Sequence, residues 1–177
     1  MILDRDGVIN RDSKEFVKTV AEWQPLPGSV EAIGVLTRAG IPVAVASNQS
    51  GIGRGLLSRK TLYAMHSKLR KLAAGFGGEI GRILYCPHLP EAGCDCRKPA
   101  PGMINALIRE HGVAPDDVIV VGDSVRDLDA ALAAGARPAL VLTGNGLRSQ
   151  QELRERNQTV QTFDNLLDFA NSLMMEN

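Results

Sequence analysis

Five short runs of β-branched and other apolar residues alternate along this chain with longer segments of helical period, and each run ends in a cluster of polar residues. The runs are Met1 to Leu3, Ile41 to Ala46, Ile83 to Tyr85, Val118 to Val121 and Ala139 to Leu142. The better-defined ones are almost continuously apolar, as strands of a parallel sheet are when helices cover both faces. Helices read between them from about Ser29 to Ala39, stopped by Gly40, and after the N-cap residue Ser58, with Leu62, Met65, Leu69 and Leu72 on one face. Others run from Pro101 to Gly112, from Ser124 to Gly135, and from about Asp164 to Met174. The alternation predicts an α/β fold of three layers around a central parallel sheet. No linker divides the chain, so residues 1–177 are read as a single domain. The first run starts abruptly, which leads us to expect a few residues upstream of it.

Composition narrows the function classes. Twenty basic residues balance twenty acidic ones, which removes the nonspecific pull toward nucleic acid or anionic membrane. Aromatic residues are 4%, too few for base-stacking platforms. The longest runs of apolar residues and glycine, Leu72 to Gly78 and Ala130 to Ala136, are seven residues, whereas a membrane-spanning helix needs about 20. Asp4, Arg5 and Asp6 stand where a signal peptide would be apolar. The expectation is a cytoplasmic monomer that acts on a small molecule, with neither nucleic acid nor membrane as partner.

Ligands of open α/β sheets bind beyond the carboxyl ends of the strands. There the sequence places Asp4-Arg5-Asp6-Gly7, Ser47-Asn48-Gln49-Ser50-Gly51, Cys86-Pro87-His88, Gly122-Asp123-Ser124 with Asp127, and Thr143-Gly144-Asn145-Gly146. Asp4 and Asp6, two apart in an extended chain, point the same way and repel unless a cation or proton intervenes. If the first and fourth strands are neighbours, Asp123 joins them, and such a set suits Mg²⁺ carrying a substrate phosphate. Ser47 and Lys98 add a hydroxyl and an ammonium that can hold phosphoryl oxygens. Singly, each acid could equally cap a turn; collected at one rim, they point to phosphate chemistry.

Those residues, in that order over positions 4 to 127, resemble the four motifs of the haloacid dehalogenase (HAD) superfamily of phosphatases. The resemblance implies a HAD-like Rossmannoid fold without a large cap, since the insertion after Asp6 is short. It implies Asp4 as nucleophile forming an aspartyl phosphate and Asp6 as general acid, then base. Mg²⁺ would lie between the Asp4 carboxylate, the Asp6 backbone carbonyl and the Asp123 carboxylate. Ser47 and Lys98 would stabilise the phosphoryl group, with Asp127 behind the metal or Lys98.

Cys86-x-His88 and Cys94-x-Cys96 offer three thiols and one imidazole, a donor set for closed, structural zinc, in a loop spanning 86–96. A Cys94–Cys96 disulfide and buried free thiols are the alternatives. This loop makes the chain resemble the heptose bisphosphate 7-phosphatases within the superfamily, a step toward nucleotide-activated heptose for lipopolysaccharide. That resemblance implies a substrate site built from Arg5, Asp12, Ser13, Lys14, Glu15, Asn48, Gln49, Ser50 and Arg97. Histidinol-phosphate phosphatases share the scaffold and remain the competing enzyme reading. Arg97 and Arg54 favour a second phosphate, whereas an amine would want a carboxylate such as Glu15. A zinc-stabilised module that binds phosphate ligands without catalysis is the competing class, and retention of both Asp4 and Asp6 speaks against it. Gly51-x-Gly53-x-Gly55 is read as a flexible edge of the phosphate pocket, and Arg59, Lys60, Lys68, Arg70 and Lys71 as a solvated helix face.

Overall fold

The computed structural model describes residues 1–175. Strands β1 (Ile2–Leu3), β2 (Ala44–Asn48), β3 (Ile83–Cys86), β4 (Ile119–Gly122), β5 (Arg137–Val141) and β6 (Gln161–Phe163) form one parallel sheet in the order β3-β2-β1-β4-β5-β6. Between them run α1 (Ser29–Arg38), α2 (Ser50–Gly53), α3 (Arg59–Ala74), α4 (Gly102–His111), α5 (Val125–Ala133), α6 (Gly146–Glu155) and the closing α7 (Leu166–Met175).

The strand pattern explains why both faces are covered. Leu3, Val45, Val121, Ala139 and Val141 pack with α1, α3 and α7 on one face, through Ile33, Leu36, Leu62, Met65, Leu69 and Phe169. Ile2, Ala44, Ala46 and Val120 alternate to the other face and meet Met103, Ile104 and Leu107 of α4 and Ala130 and Ala131 of α5. This is the expected three-layer α/β architecture. No further layer of strands or helices intervenes between β1 and α1, among the described residues.

Several boundaries and elements differ from the sequence expectations. β2 begins three residues later than Ile41, because Pro42 lacks an N–H and the hydrogen-bonded pairing with β1 begins at Ala44. Ser47 and Asn48 thus lie within the strand rather than after it, paired with Tyr85 and Cys86. β6 and α6 were not expected: β6 has three residues, two of them polar, and α6 presents no apolar stripe, burying Leu153 while Leu147 is exposed.

Two other expectations are refined by packing. The glycine segment after β2 lies at the edge of a cavity, where Gly51 lines it, and it is a helical turn. A Cβ on Gly53 would come within 2.6 Å of the Pro87 carbonyl oxygen, which already accepts the Gly53 N–H at 3.1 Å. Lys68 and Arg70 are not simply solvated. Lys68 donates to the carbonyls of Val20 and Trp23 at 3.0 and 2.6 Å, and Arg70 to those of Ile80 and Gly81. Lys68 and the fully buried Trp23 thereby tie the connection between β1 and α1 onto the core.

Candidate active site and metal centre

The strand order reverses direction between β1 and β4, and a crevice opens there at the carboxyl ends of the strands. A cavity of about 290 Å³ occupies it, with Asp4, Asp6, Lys98, Asp123 and Asp127 among its lining residues.

Asp4 extends β1, its N–H donating to Val121 O at 2.9 Å. The chain then folds back on itself, with Gly7 N–H on Asn10 O at 2.7 Å and Ile9 and Asn10 N–H on Arg5 O at 2.8 and 3.0 Å. Gly7 is in the left-handed region (φ 85°), and a Cβ there would overlap the Asp123 carboxylate. Only glycine permits this approach. The turn delivers Asp6 beside Asp4 and closes the loop over β4.

Lys98 is 2% exposed and sits amid oxygens: Asp4 Oδ1 at 2.8 Å, Asp127 Oδ1 at 2.6 Å and Ala46 O at 2.7 Å. Burial opposes its charge, but Asp127 and Asp4 outweigh that and raise its pKa. Asp127 Oδ2 accepts the Ser124 N–H and Oγ–H at 3.0 and 2.7 Å, a capping box that starts α5. With one oxygen on Lys98 and the other on the cap, Asp127 supports the lysine. Asn48 holds Lys98 from its backbone, donating Nδ2–H to Lys98 O (3.0 Å) and accepting Lys98 N–H at Oδ1 (3.1 Å).

The acids differ in their electrostatics. Burial, aided by Asp127 and Asp6 and opposed by Lys98, pushes Asp4 up to about 7. Burial, with Asp4 and Asp127 adding repulsion, pushes Asp123 up to about 8. Asp6 is different. Burial would raise it, but Arg5, Asn10 and Gln49 together hold it below the ordinary carboxylate range. Its two oxygens receive Arg5 Nη2–H at 2.9 Å each, Asn10 Nδ2–H at 2.8 Å and Gln49 Nε2–H at 2.6 Å. Asp4, Asp123 and Asp127 present oxygens within 4.8 Å of one another. Lys98 is shared by Asp4 and Asp127, and Asp123 has no cation partner among the described residues, so the three carboxylates are short of positive charge. The donor set is hard oxygen, so the site fits a divalent cation such as Mg²⁺.

The second cluster stands at the end of β3. Cys86 Sγ lies 3.6 Å from Cys94 Sγ and 3.2 Å from Cys96 Sγ, and His88 Nδ1 lies 3.5 and 3.2 Å from the Cys86 and Cys96 sulfurs. Cys94 and Cys96 are 3.6 Å apart, far beyond the roughly 2.05 Å of a disulfide, so the disulfide alternative is excluded. Three thiols and one imidazole converging on one point fit a closed tetrahedral metal site. The loop is braced against the crevice: Gln49 N–H donates to Cys86 O at 2.7 Å, Arg97 Nη1–H to His88 O at 3.3 Å and Gly102 N–H to Asp95 O at 2.9 Å.

The expected substrate residues separate into groups. Asp12, Ser13, Asn48, Gln49, Ser50 and Arg97 line the cavity, whereas Lys14 and Glu15 are exposed and do not. They turn outward because the Ser13 carbonyl and hydroxyl cap a tight turn that sends Phe16 (φ 66°) inward. Arg5 lines the cavity but is 1% exposed; its Nε and Nη2 donate to Asp6 and its Nη2 to Gln49 (3.1 Å), while Nη1 is buried without a hydrogen-bond partner. Two of its nitrogens hold Asp6 in place. Ser47 is buried below the cavity, its Oγ accepting Gln49 Nε2–H at 2.9 Å. Phe16, Val17, Leu57 and Pro90 also line the cavity, from the loops 10–27, 50–57 and 86–96 that the sequence reading expects to shape it, though it singles out none of them; Arg126 lies outside that expectation. For Arg126 the available signal is its place two residues beyond Ser124.

Comparison with known proteins agrees with this geometry. Residues 95–169 match the family model described as HAD-hydrolase-like. The D-glycero-beta-D-manno-heptose-1,7-bisphosphate 7-phosphatase of Pseudomonas putida is 53% identical over 98% of this chain and 98% of its own. That of Neisseria meningitidis is 49% identical over 100% and 95%. A crystal structure of D,D-heptose 1,7-bisphosphate phosphatase from B. bronchiseptica, complexed with magnesium and phosphate, superposes with a TM-score of 0.95 at 45% identity, covering 100% of this chain and 98% of that one. With the fold, the acidic crevice and these full-length relatives in agreement, the chain belongs to the HAD-superfamily phosphatases, in the family of the heptose-1,7-bisphosphate 7-phosphatases.

Proposed function

We propose that the chain removes the 7-phosphate of D-glycero-D-manno-heptose 1,7-bisphosphate through a phosphorylated Asp4. The β anomer is the substrate, as the names of the relatives at 53% and 49% identity support. The observation that carries the bisphosphate reading is the charge at the cavity mouth. Arg54, Arg97 and Arg126 line it, and none has a carboxylate partner among the described residues. Guanidinium groups left unneutralised suit a second phosphate. A cationic amine, as in histidinol phosphate, would meet three guanidinium groups at the mouth against the one carboxylate of Asp12, since Glu15 turns away.

In the first step an Asp4 oxygen attacks phosphorus and the bond from phosphorus to the sugar oxygen breaks. Asp6 gives a proton to that oxygen. The free site holds Asp6 as carboxylate, and an adjacent phosphate dianion favours its protonation. Ser47 and Lys98 steady the transferring oxygens, while Asp127 and Asn48 keep Lys98 in place. In the second step Asp6, once more a base, takes a proton from water as the water oxygen attacks phosphorus and Asp4 leaves. Division of one slow displacement into two is the gain from a covalent intermediate. Asp4, the Asp6 backbone carbonyl and Asp123 would hold Mg²⁺, which when bound neutralises phosphoryl charge. Cys86, His88, Cys94 and Cys96 would hold a structural Zn²⁺. The protein works as a monomeric, one-domain enzyme over residues 1–177, in the cytoplasm, supplying heptose for lipopolysaccharide. No described helix is long and apolar enough to cross a membrane.

The substrate test compares kcat/KM for the two heptose bisphosphate anomers and histidinol phosphate. The β-bisphosphate should be preferred, and Arg97→Ala should raise KM for it about tenfold while changing KM for a simple monophosphate little. Equal changes on both substrates would remove the second-phosphate role.

A pH prediction follows from the raised carboxylates. A carboxyl whose pKa is higher folded than unfolded binds more protons in the folded state between those values. The contribution of Asp4 and Asp123 to metal-free stability therefore falls as pH rises from about 4 to 8. Mg²⁺ competes with those protons. Its increase in Tm should be several degrees larger at pH 8 than at pH 6, measured by thermal denaturation; an increment independent of pH would contradict the assignment.

A further inference from the structure

Asn145 occupies the N-cap position of α6 yet makes no cap bond with its side chain to that helix. Its polar groups turn the other way. Its backbone N–H donates to Asp123 Oδ2 at 2.7 Å and its side-chain Nδ2–H to the same oxygen at 3.1 Å. The same Nδ2 also donates to Asp12 Oδ2 at 3.2 Å, 133 residues away on the connection between β1 and α1. The surrounding segment is locked in place. Thr143 Oγ1–H donates to Gly7 O at 2.6 Å, and Ser149 Oγ–H donates to Asp123 O at 2.8 Å. Gly144 (φ 57°) has its Cα face against Gly7 and the Asp123 carboxylate, leaving no room for a Cβ.

We propose that Asn145 is a positioning residue that sets the cation affinity of the Asp4–Asp123 site and fastens the cavity mouth to it. By donating twice to Asp123 Oδ2, it fixes the carboxylate plane and leaves Oδ1 free of this contact. By holding Asp12 with the same amide, it ties the rim of the cavity to that carboxylate. Neither contact supports α6, so the side chain serves the site and not the helix. The inference rests on the reading of Asp123 as a Mg²⁺ ligand. Partners that orient a metal ligand typically contribute about 10- to 100-fold to metal affinity.

The experiment titrates the purified chain, freed of Mg²⁺ but with its zinc loop left loaded, with Mg²⁺ in a calorimeter without substrate. Tm of the metal-free protein and steady-state KM and kcat are measured alongside. Asn145→Ala should weaken Mg²⁺ binding about tenfold, with the metal-free Tm unchanged. At saturating Mg²⁺ it should raise KM more than it lowers kcat, because Asp12 is released. Asn145→Gly retains a favoured N-cap residue and removes the amide, so it should lose affinity equally. It keeps the test decisive if the alanine variant folds poorly. A folded variant of either kind with wild-type Mg²⁺ affinity would overturn the proposal, as would affinity lost only in step with Tm. Asp123→Asn separates the two levels. If it abolishes Mg²⁺ binding while Asn145→Ala does not change it, the positioning role fails alone. If Asp123→Asn binds Mg²⁺ normally, the metal assignment beneath it fails.

Discussion

Asp4→Asn yields a folded protein whose turnover falls by about 10⁴-fold or more, the order expected when a covalent nucleophile is lost. The amide is nearly isosteric, and Lys98 keeps its contacts with Asp127 and the Ala46 carbonyl. The substitution also removes one of two buried carboxylates whose charge is disfavoured, so the metal-free protein should be no less stable than wild type. Rate loss without loss of Tm distinguishes chemistry from folding. Turnover within tenfold of wild type would mean that phosphorus is attacked by something else, with water activated directly by Asp6 as the first alternative to pursue.

The next largest effect is expected at the cysteine cluster. Cys96→Ser leaves two thiols and an imidazole, one donor short of the closed set. Structural zinc in small sites is coupled to folding by roughly ten kcal/mol or more. Here the sheet supplies most of the fold, so the loss should be confined to residues 86–98 and the turn against them. Lys98 follows the last ligand by two residues, and Gly53 and Gln49 are hydrogen bonded to Pro87 and Cys86. A loosened loop therefore displaces both the lysine and the Ser50–Gly53 turn. We expect zinc content near zero by elemental analysis, kcat reduced about 100-fold as misplaced catalytic groups cost, and a Tm lower by several degrees. Full activity in zinc-free protein would remove the bracing role.

The residues most legible in the sequence are those that strand ends bring together. Asp4, Asp123 and Asp127 could be grouped in advance because parallel strands collect their carboxyl ends on one rim, whatever the sequence separation, whereas Lys98, twelve residues past β3, is legible only through the motif resemblance. The cysteine loop was equally open to reading, since its four donors lie close along the chain. What escaped notice depends on contacts between distant segments. Arg5 reads as a substrate-site residue; only the fold shows it buried with two of its nitrogens on Asp6 and Gln49. Lys14 and Glu15 lie next to lining residues, but the left-handed turn at Phe16 sends them to solvent. The sequence places Asn145 at the rim but not its partners, because both carboxylates it contacts come from other loops. β6 and α6 lack apolar periodicity, so the edge of the sheet they form could not be seen before the packing was known.

The most direct test is to quench the enzyme during turnover of ³²P-labelled heptose bisphosphate in acid and map the labelled peptide. If Asp4 is the nucleophile, an acid-stable, base-labile phosphoryl group sits on the peptide that contains Asp4, and Asp4→Asn protein carries none. Label on another residue such as Ser47, or no protein-bound label during active turnover captured on the millisecond scale, would contradict covalent catalysis at Asp4.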